Sequence, residues 1–158
     1  MIISVKLTEK LIQREYPDFE FTVFSDTPVT PLIKPLNECK LALVTTGGLH
    51  LKTDHPFDFS IKAGDSSYRM LPGDMTHNDI QISHMWYDHK FINEDLNCVF
   101  PIDRMREYVK EGKIKSLSEE HYSFMGHIFE TGPLIENAQT VGKRLKEIGV
   151  DIAFLTPT

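Results

Sequence analysis

The feature that most constrains this fold is a helix that runs straight into an apolar strand. Leu134, Ala138, Val141, Leu145 and Ile148 recur at spacings of 4, 3, 4 and 3, which is one apolar stripe of an amphipathic helix. Gly149 follows where helices commonly end in a left-handed turn, and residues 150–156 read as a short buried strand. A helix followed at once by such a strand is half of a parallel α/β unit. Residues 40–46, Lys-Leu-Ala-Leu-Val-Thr-Thr, make a second continuous apolar run, closed by Gly47 and Gly48. That is how a strand buried on both faces reads, with a glycine turn at its carboxyl end. The two segments predict an α/β class domain built on an open, mainly parallel, Rossmann-like sheet. In such sheets chemistry collects just beyond the carboxyl ends of the strands.

The remaining segments fill in that frame. Residues 1–38 read as an extended N-terminal arm: a short helix within 7–16, then Pro17, Pro28, Pro31 and Pro35, which break any long regular element. Residues 39–158 read as the α/β domain. Within it, 50–78 is rich in Asp, His, Gly, Pro and Ser and reads as long loops, with a short strand over 68–71. Residues 79–84 alternate as an edge strand does, and 96–100 form another apolar run. Pro101 sits where a helix can open, with Ile102, Met105 and Val109 along one face. A strand is predicted over 114–117 and a loop over 121–133. Loops this long in a compact domain are more often functional than idle.

Composition narrows the function classes. The formal net charge of -6 argues against a general binder of nucleic acid or of membrane surfaces. No apolar run approaches the roughly 20 residues of a spanning helix. The first ten residues lack the pattern of a signal peptide. The two cysteines, Cys39 and Cys98, are distant and have no CxxC partner, which suits a reducing cytoplasmic setting. Cys98, inside an apolar run, reads as a buried thiol.

The chemistry-bearing residues cluster in the loops. All seven histidines lie in or beside them, most densely at His84 and His89 with Asp88 nearby. Imidazoles and carboxylates converging on one point can bind a metal. They serve equally well as hydrogen-bonding parts of loops or interfaces, and no HExxH or paired CxxC spacing is present. Gly47 and Gly48 could bring backbone N–H groups to an anion or simply end a strand. Asp103 and Arg104 open a helix, as a capping and ion pair or as a carboxylate clamp.

Several segments together resemble a known family. They are residues 43–52 (Leu-Val-Thr-Thr-Gly-Gly-Leu-His-Leu-Lys), 64–69, 71–74, 83–88 (Ser-His-Met-Trp-Tyr-Asp), 94–104 (Glu-Asp-Leu-Asn-Cys-Val-Phe-Pro-Ile-Asp-Arg) and 123–126 (Ser-Phe-Met-Gly). The chain resembles the selenoprotein B family of the glycine, sarcosine, betaine and D-proline reductases, with a layout like the short selenocysteine-bearing subunit of the D-proline enzymes. The resemblance implies an oxidoreductase subunit that reductively cleaves a C–N bond of an amino acid or amine. It implies a selenocysteine, or a cysteine, directly after the position of Thr158, so that the chain reads as the N-terminal portion of a selenoprotein with no catalytic residue of its own. It implies a partner subunit whose pyruvoyl group holds the substrate amine. Gly47, Gly48, His50, His84, Asp88, Asp103, Arg104, Met125 and Gly126 are then candidates to line the pocket. Arg104 would hold a substrate carboxylate, and His50 or His84 would give a proton to the departing amine.

No metal is expected in the chain on this reading, and neither nucleic acid nor a membrane is expected as partner. A homo-oligomer is expected, because an uncovered last strand exposes apolar surface. Two other readings stay open: a metal-binding hydrolase or binding module using the loop histidines, and a non-catalytic homologue that keeps the fold.

Overall fold

The computed structural model describes residues 5–21, 23–85 and 87–158; residues 1–4, Thr22 and Trp86, the last inside the 83–88 segment, lie outside the described residues. The chain divides into two units, Met1–Ile33 and Lys34–Thr158. In the first, helix α1 (Val5–Ile12) is followed by a turn in which the Gln13 amide donates to the Phe19 carbonyl at 2.7 Å. Its later apolar residues, Val23, Phe24, Val29 and Ile33, are exposed.

The second unit is a mixed α/β domain on an open, mainly parallel sheet. Its central strand β1 (Lys40–Thr45) pairs in parallel with β5 (Ser116–Leu117), β6 (Glu120–Phe124) and β7 (Ile152–Thr156). β7 follows β1 from Leu41 to Thr45, so β5 and β6 lie in succession along the other edge. β3 (Tyr68–Pro72) closes that side, antiparallel to β6. A separate antiparallel pair joins β2 (Leu49–Leu51) to β4 (Ile80–Ile82).

Alternation along β1 explains its apolar run. Leu41 and Leu43 enter one core with Leu49, Leu71, Ile92, Leu96, Phe100 and Ile102. Ala42 and Val44 enter a second core with Tyr122, Phe124, Val141 and Leu145. Helix α3 (Ile102–Lys110) covers the first face through Ile102, Met105 and Val109, and α4 (Thr131–Glu147) covers the second. Side chains such as Leu43, fully buried, each contribute about 1.5–3 kcal/mol of transfer free energy. Helix α4 ends as expected: Gly149 has φ 75°, its N–H donates to the Lys146 carbonyl, and that of Val150 donates to the Leu145 carbonyl, the paired bonds of a Schellman turn. The chain then enters β7 beside Lys40, whose N–H donates to the Asp151 carboxylate at 2.8 Å.

Three expectations are corrected. The predicted loop over 121–133 holds β6, because its polar residues are buried. His121 Nδ1 accepts the Leu43 N–H at 2.9 Å, bridging the gap in the ladder between β5 and β6, and Ser123 Oγ accepts the Leu49 N–H at 2.8 Å. The last strand is not buried: β7 has β1 as its pairing partner among the described residues, and Phe154 and Leu155 are exposed. Cys98 is exposed, because a short 3₁₀ turn over Leu96–Cys98 buries Leu96 and turns the thiol outward. Helix α2 (Lys90–Glu94) was not predicted.

Candidate functional site at the carboxyl rim of the sheet

The carboxyl ends of β1, β6 and β7 meet at one rim. Thr46 donates its N–H to the Thr156 carbonyl at 3.2 Å, and Thr158 in turn donates from N to Thr46 Oγ1 and from Oγ1 to the Thr46 carbonyl, both at 3.0 Å. From the β6 side, the Gly126 N–H donates to the Thr46 carbonyl and the Gly48 N–H to the Phe124 carbonyl, both at 3.0 Å. Thr45 Oγ1 accepts the Gly47 N–H at 3.0 Å and reaches the carbonyls of Val99 and Thr156. The three strand ends are therefore cross-linked through backbone and threonine hydroxyls.

Glycines sit close-packed where these ends touch. Gly48 has φ 65°, and a Cβ there would overlap the Ser83 carbonyl. A Cβ on Gly126 would stand 2.6 Å from His84 Nε2. A Cβ on Gly47 would lie 3.3 Å from Val99 and 3.6 Å from Thr158 Cγ2. The rim is thus bare backbone with the His84 ring laid over Gly126.

The loop after β4 supplies the polar groups. His84 is nearly buried, and burial first, with His89 and His127 adding to it, holds its pKa below the ordinary histidine value. His84 is therefore a neutral imidazole near pH 7. Its ring lies 4.7 Å from that of Tyr87, whose hydroxyl donates to the Gly47 carbonyl at 2.9 Å. Burial pushes the Tyr87 phenol up to about 12, so it remains a donor. His50 sits behind the rim on β2, with Nδ1 donating to the Leu51 carbonyl and Nε2 paired with Ser83 Oγ at 2.9 Å. Both its nitrogens are engaged, and it braces the Ser83 end of the loop.

Among the sequence candidates, Gly47, Gly48, His84, Met125 and Gly126 meet at this rim, with His50 one layer behind. Asp88 is exposed and accepts the Lys90 N–H at 2.9 Å. Asp103 is held by Arg106 and Asn97, while Arg104 is exposed and paired with Glu107 at 3.1 Å. Tyr87, Thr46 and Thr158 also meet at this rim and were not among the sequence candidates. Tyr87 was inside a quoted segment, but nothing in its spacing shows that its hydroxyl returns to Gly47. Among the described residues no three His, Cys, Asp or Glu side chains converge, so the histidine-metal reading finds no ligand set. A groove of 740 Å³ lies at the opposite end of the sheet between Gly73, Arg106 and Glu119. Size alone does not mark a site.

The amino ends of the same strands are built differently. Lys34 pairs with Asp151 at 2.8 Å, Lys40 with Glu119 and Arg144 with Glu120 at 2.5 Å each. Arg144 holds the Glu120 carboxyl below its usual range.

No helix among the described residues is long and apolar enough to cross a membrane. No solved structure matches the chain. The profile of the family "Glycine/sarcosine/betaine reductase selenoprotein B" matches residues 2–158. The chain is 43% identical over 134 residues to the D-proline reductase subunit gamma of Acetoanaerobium sticklandii, covering 80% of this chain and 52% of that one. It is 33% identical over 160 residues to the sarcosine reductase complex component B subunit beta of Peptoclostridium acidaminophilum, covering 97% and 35%. It is 32% identical over 137 residues to the glycine reductase complex component B subunit gamma of Carboxydothermus hydrogenoformans, covering 85% and 32%. The chain thus spans about half the length of the first relative and about a third of the other two. The resemblance first seen in six short segments holds over nearly the whole chain, which belongs to the selenoprotein B family of the glycine, sarcosine and betaine reductases.

Proposed function

We propose that this chain is the scaffold of an amino-acid or amine reductase subunit. Its carboxyl rim presents a selenocysteine or cysteine carried by the segment that follows β7 in longer relatives. The observation that carries the reading is the junction of Thr158 with Thr46 beside the Gly47–Gly48 turn, beneath His84 and Tyr87. A residue following Thr158 would emerge at the strand-end position where α/β sheets bind and transform ligands.

The rim suits such a group. The His84 ring occupies the place a Cβ on Gly126 would take, and the atoms nearest a Cβ on Gly47 or Gly126 belong to no ionised side chain. When present, the selenol or thiol would supply the nucleophile for C–N cleavage, and a partner's pyruvoyl group would hold the substrate amine. The chain's own residues do the rest. Neutral His84 can accept a proton and release it toward the departing nitrogen. Tyr87 holds the glycine turn in place through its bond to the Gly47 carbonyl. His50 fixes Ser83 and thereby the backbone from which His84 projects.

The reading is tested with a hybrid that joins residues 1–158 to the remaining length of the D-proline reductase subunit gamma, with cysteine at the reactive position. Combined with the other subunits of that enzyme and a dithiol, it is expected to reduce at least one of D-proline, glycine, sarcosine or betaine. Activity should fall at least about 100-fold in the Gly126→Ala form. A folded, assembled hybrid inert toward all four compounds would overturn the proposal.

A further inference from the structure

The polar loop after β4 does not end at Tyr87. Two residues on, His89 is the point from which α2 starts, and its carbonyl accepts the Asn93 N–H at 3.0 Å. The His89 ring meets that of Tyr87 edge-on, with centroids 4.8 Å apart. The Tyr87 ring in turn lies 4.7 Å from that of His84, and its hydroxyl donates to the Gly47 carbonyl at 2.9 Å. One aromatic side chain therefore touches both imidazoles and the glycine turn.

Packing alone does not account for an imidazole at this position. His89 Nε2 is buried and has no hydrogen-bond partner among the described residues. A phenyl ring would offer Tyr87 the same edge contact without leaving a nitrogen unpaired, and buried polar atoms without partners are costly and rare. His89 also lines a polar cavity of 250 Å³ with His77, Gln81 and Asn93, so its ring stands between that cavity and Tyr87. The titratable groups bearing on His84 are His89 and His127, and both act to keep it unprotonated. Around His89 itself, His77 shares the cavity. Asp88 and Lys90 flank it in the chain; Asp88 accepts the Lys90 N–H, and the Lys90 ammonium lies over the Phe91 ring.

We propose that His89 is a positioning residue for the rim, its ring seating Tyr87 and, through Tyr87, the Gly47 turn and the His84 imidazole. The proposal deepens the reductase reading and rests on it for what the rim does. The ring supplies the contact and the nitrogen supplies the charge. A proton on His89 repels one on His84, so the residue that seats the stack also biases the group placed to serve the departing nitrogen. That second task is one a phenyl ring cannot perform, and it gives the unpaired nitrogen a use.

The test reads protonation and not turnover, so its failure is distinct from failure of the reductase reading. In the 158-residue chain, the His84 titration midpoint and the Tyr87 ring resonances are followed by NMR in two variants. His89→Phe keeps the edge contact and removes the charge. It should leave the Tyr87 resonances near their original positions and raise the proton affinity of His84 about threefold. His89→Ser removes both ring and charge. It should shift the Tyr87 resonances and raise that affinity further, as solvent reaches the His84 ring. His77→Gln alters the cavity without touching Tyr87 and should move neither signal. A His84 midpoint unchanged in His89→Phe would overturn the proposal, and this variant, close in volume, decides the matter even if His89→Ser fails to fold. Equal effects of the two variants, or an effect of His77→Gln as large as theirs, would overturn it as well.

Discussion

The two ends of one sheet contrast sharply. At the amino ends of β1, β6 and β7 the chain places Lys34, Lys40, Arg144, Asp151, Glu119 and Glu120, all ion-paired. At the carboxyl ends it places glycines, threonine hydroxyls, a neutral His84 and a protonated Tyr87. The amino end is tolerant, because exposed ion pairs contribute little and can be lost singly. The carboxyl end is intolerant at Gly48, where a single methyl group would collide with the Ser83 backbone. A surface fastened by charge serves the fold; the uncharged rim is where the proposed function sets the reacting group.

Substitutions at the two ends should separate accordingly. The largest effect is expected for Gly48→Ala, which combines a left-handed backbone with overlap on the Ser83 carbonyl. It should cost about 3–4 kcal/mol in denaturant unfolding, and a loss below about 1 kcal/mol would show that the turn can relax. Next comes pH. Burial first, with Arg106 adding to it, lowers the His121 pKa from 6.5 to about 4. The unfolded chain therefore binds a proton that the folded chain refuses. Stability should be fully present above pH 6.5 and should fall by about 3 kcal/mol as pH drops to 4. A pH-independent unfolding midpoint across that window would contradict the buried neutral ring.

Gly126→Ala should leave global stability nearly intact but displace His84. By NMR the His84 titration midpoint should rise toward the ordinary value as the ring gains solvent; an unchanged midpoint would mean the ring does not lie on Gly126. Tyr87→Phe removes one bond to Gly47 and should cost about 0.5–1.5 kcal/mol, checked by thermal unfolding. Smallest of all, Arg144→Ala at the amino end should shift the midpoint barely, and less still in high salt. An effect larger than that of Tyr87→Phe would erase the contrast between the ends.

The fold was legible where burial and periodicity agree. The run at 40–46 reads as a two-faced strand because Leu41 and Leu43 serve one core and Ala42 and Val44 the other. The stripe ending at Ile148 reads as a helix because Val141 and Leu145 face the sheet. β6 was hidden because His121 and Ser123 are polar yet fully buried, each accepting a backbone N–H from a distant strand. That kind of partnership has no local pattern. β7 was misjudged for the opposite reason: an apolar strand can lie at an edge, and composition alone does not say what covers it. Of the candidate rim, Gly47, Gly48, Gly126 and His84 lie in the segments that carried the family resemblance. The link from Tyr87 to Gly47 depends on a contact across 40 residues of chain.

The most direct test of the carboxyl rim as the reactive centre is the pH–rate profile of alkylation. It is measured on the chain extended past Thr158 with cysteine first and the following segment of a relative after it. A thiolate favoured by the rim should react at neutral pH faster than a free cysteine, with its midpoint below the ordinary 8.5, and Gly126→Ala should move that midpoint back up. A profile indistinguishable from that of a free thiol, in a chain that is folded, would contradict the central claim.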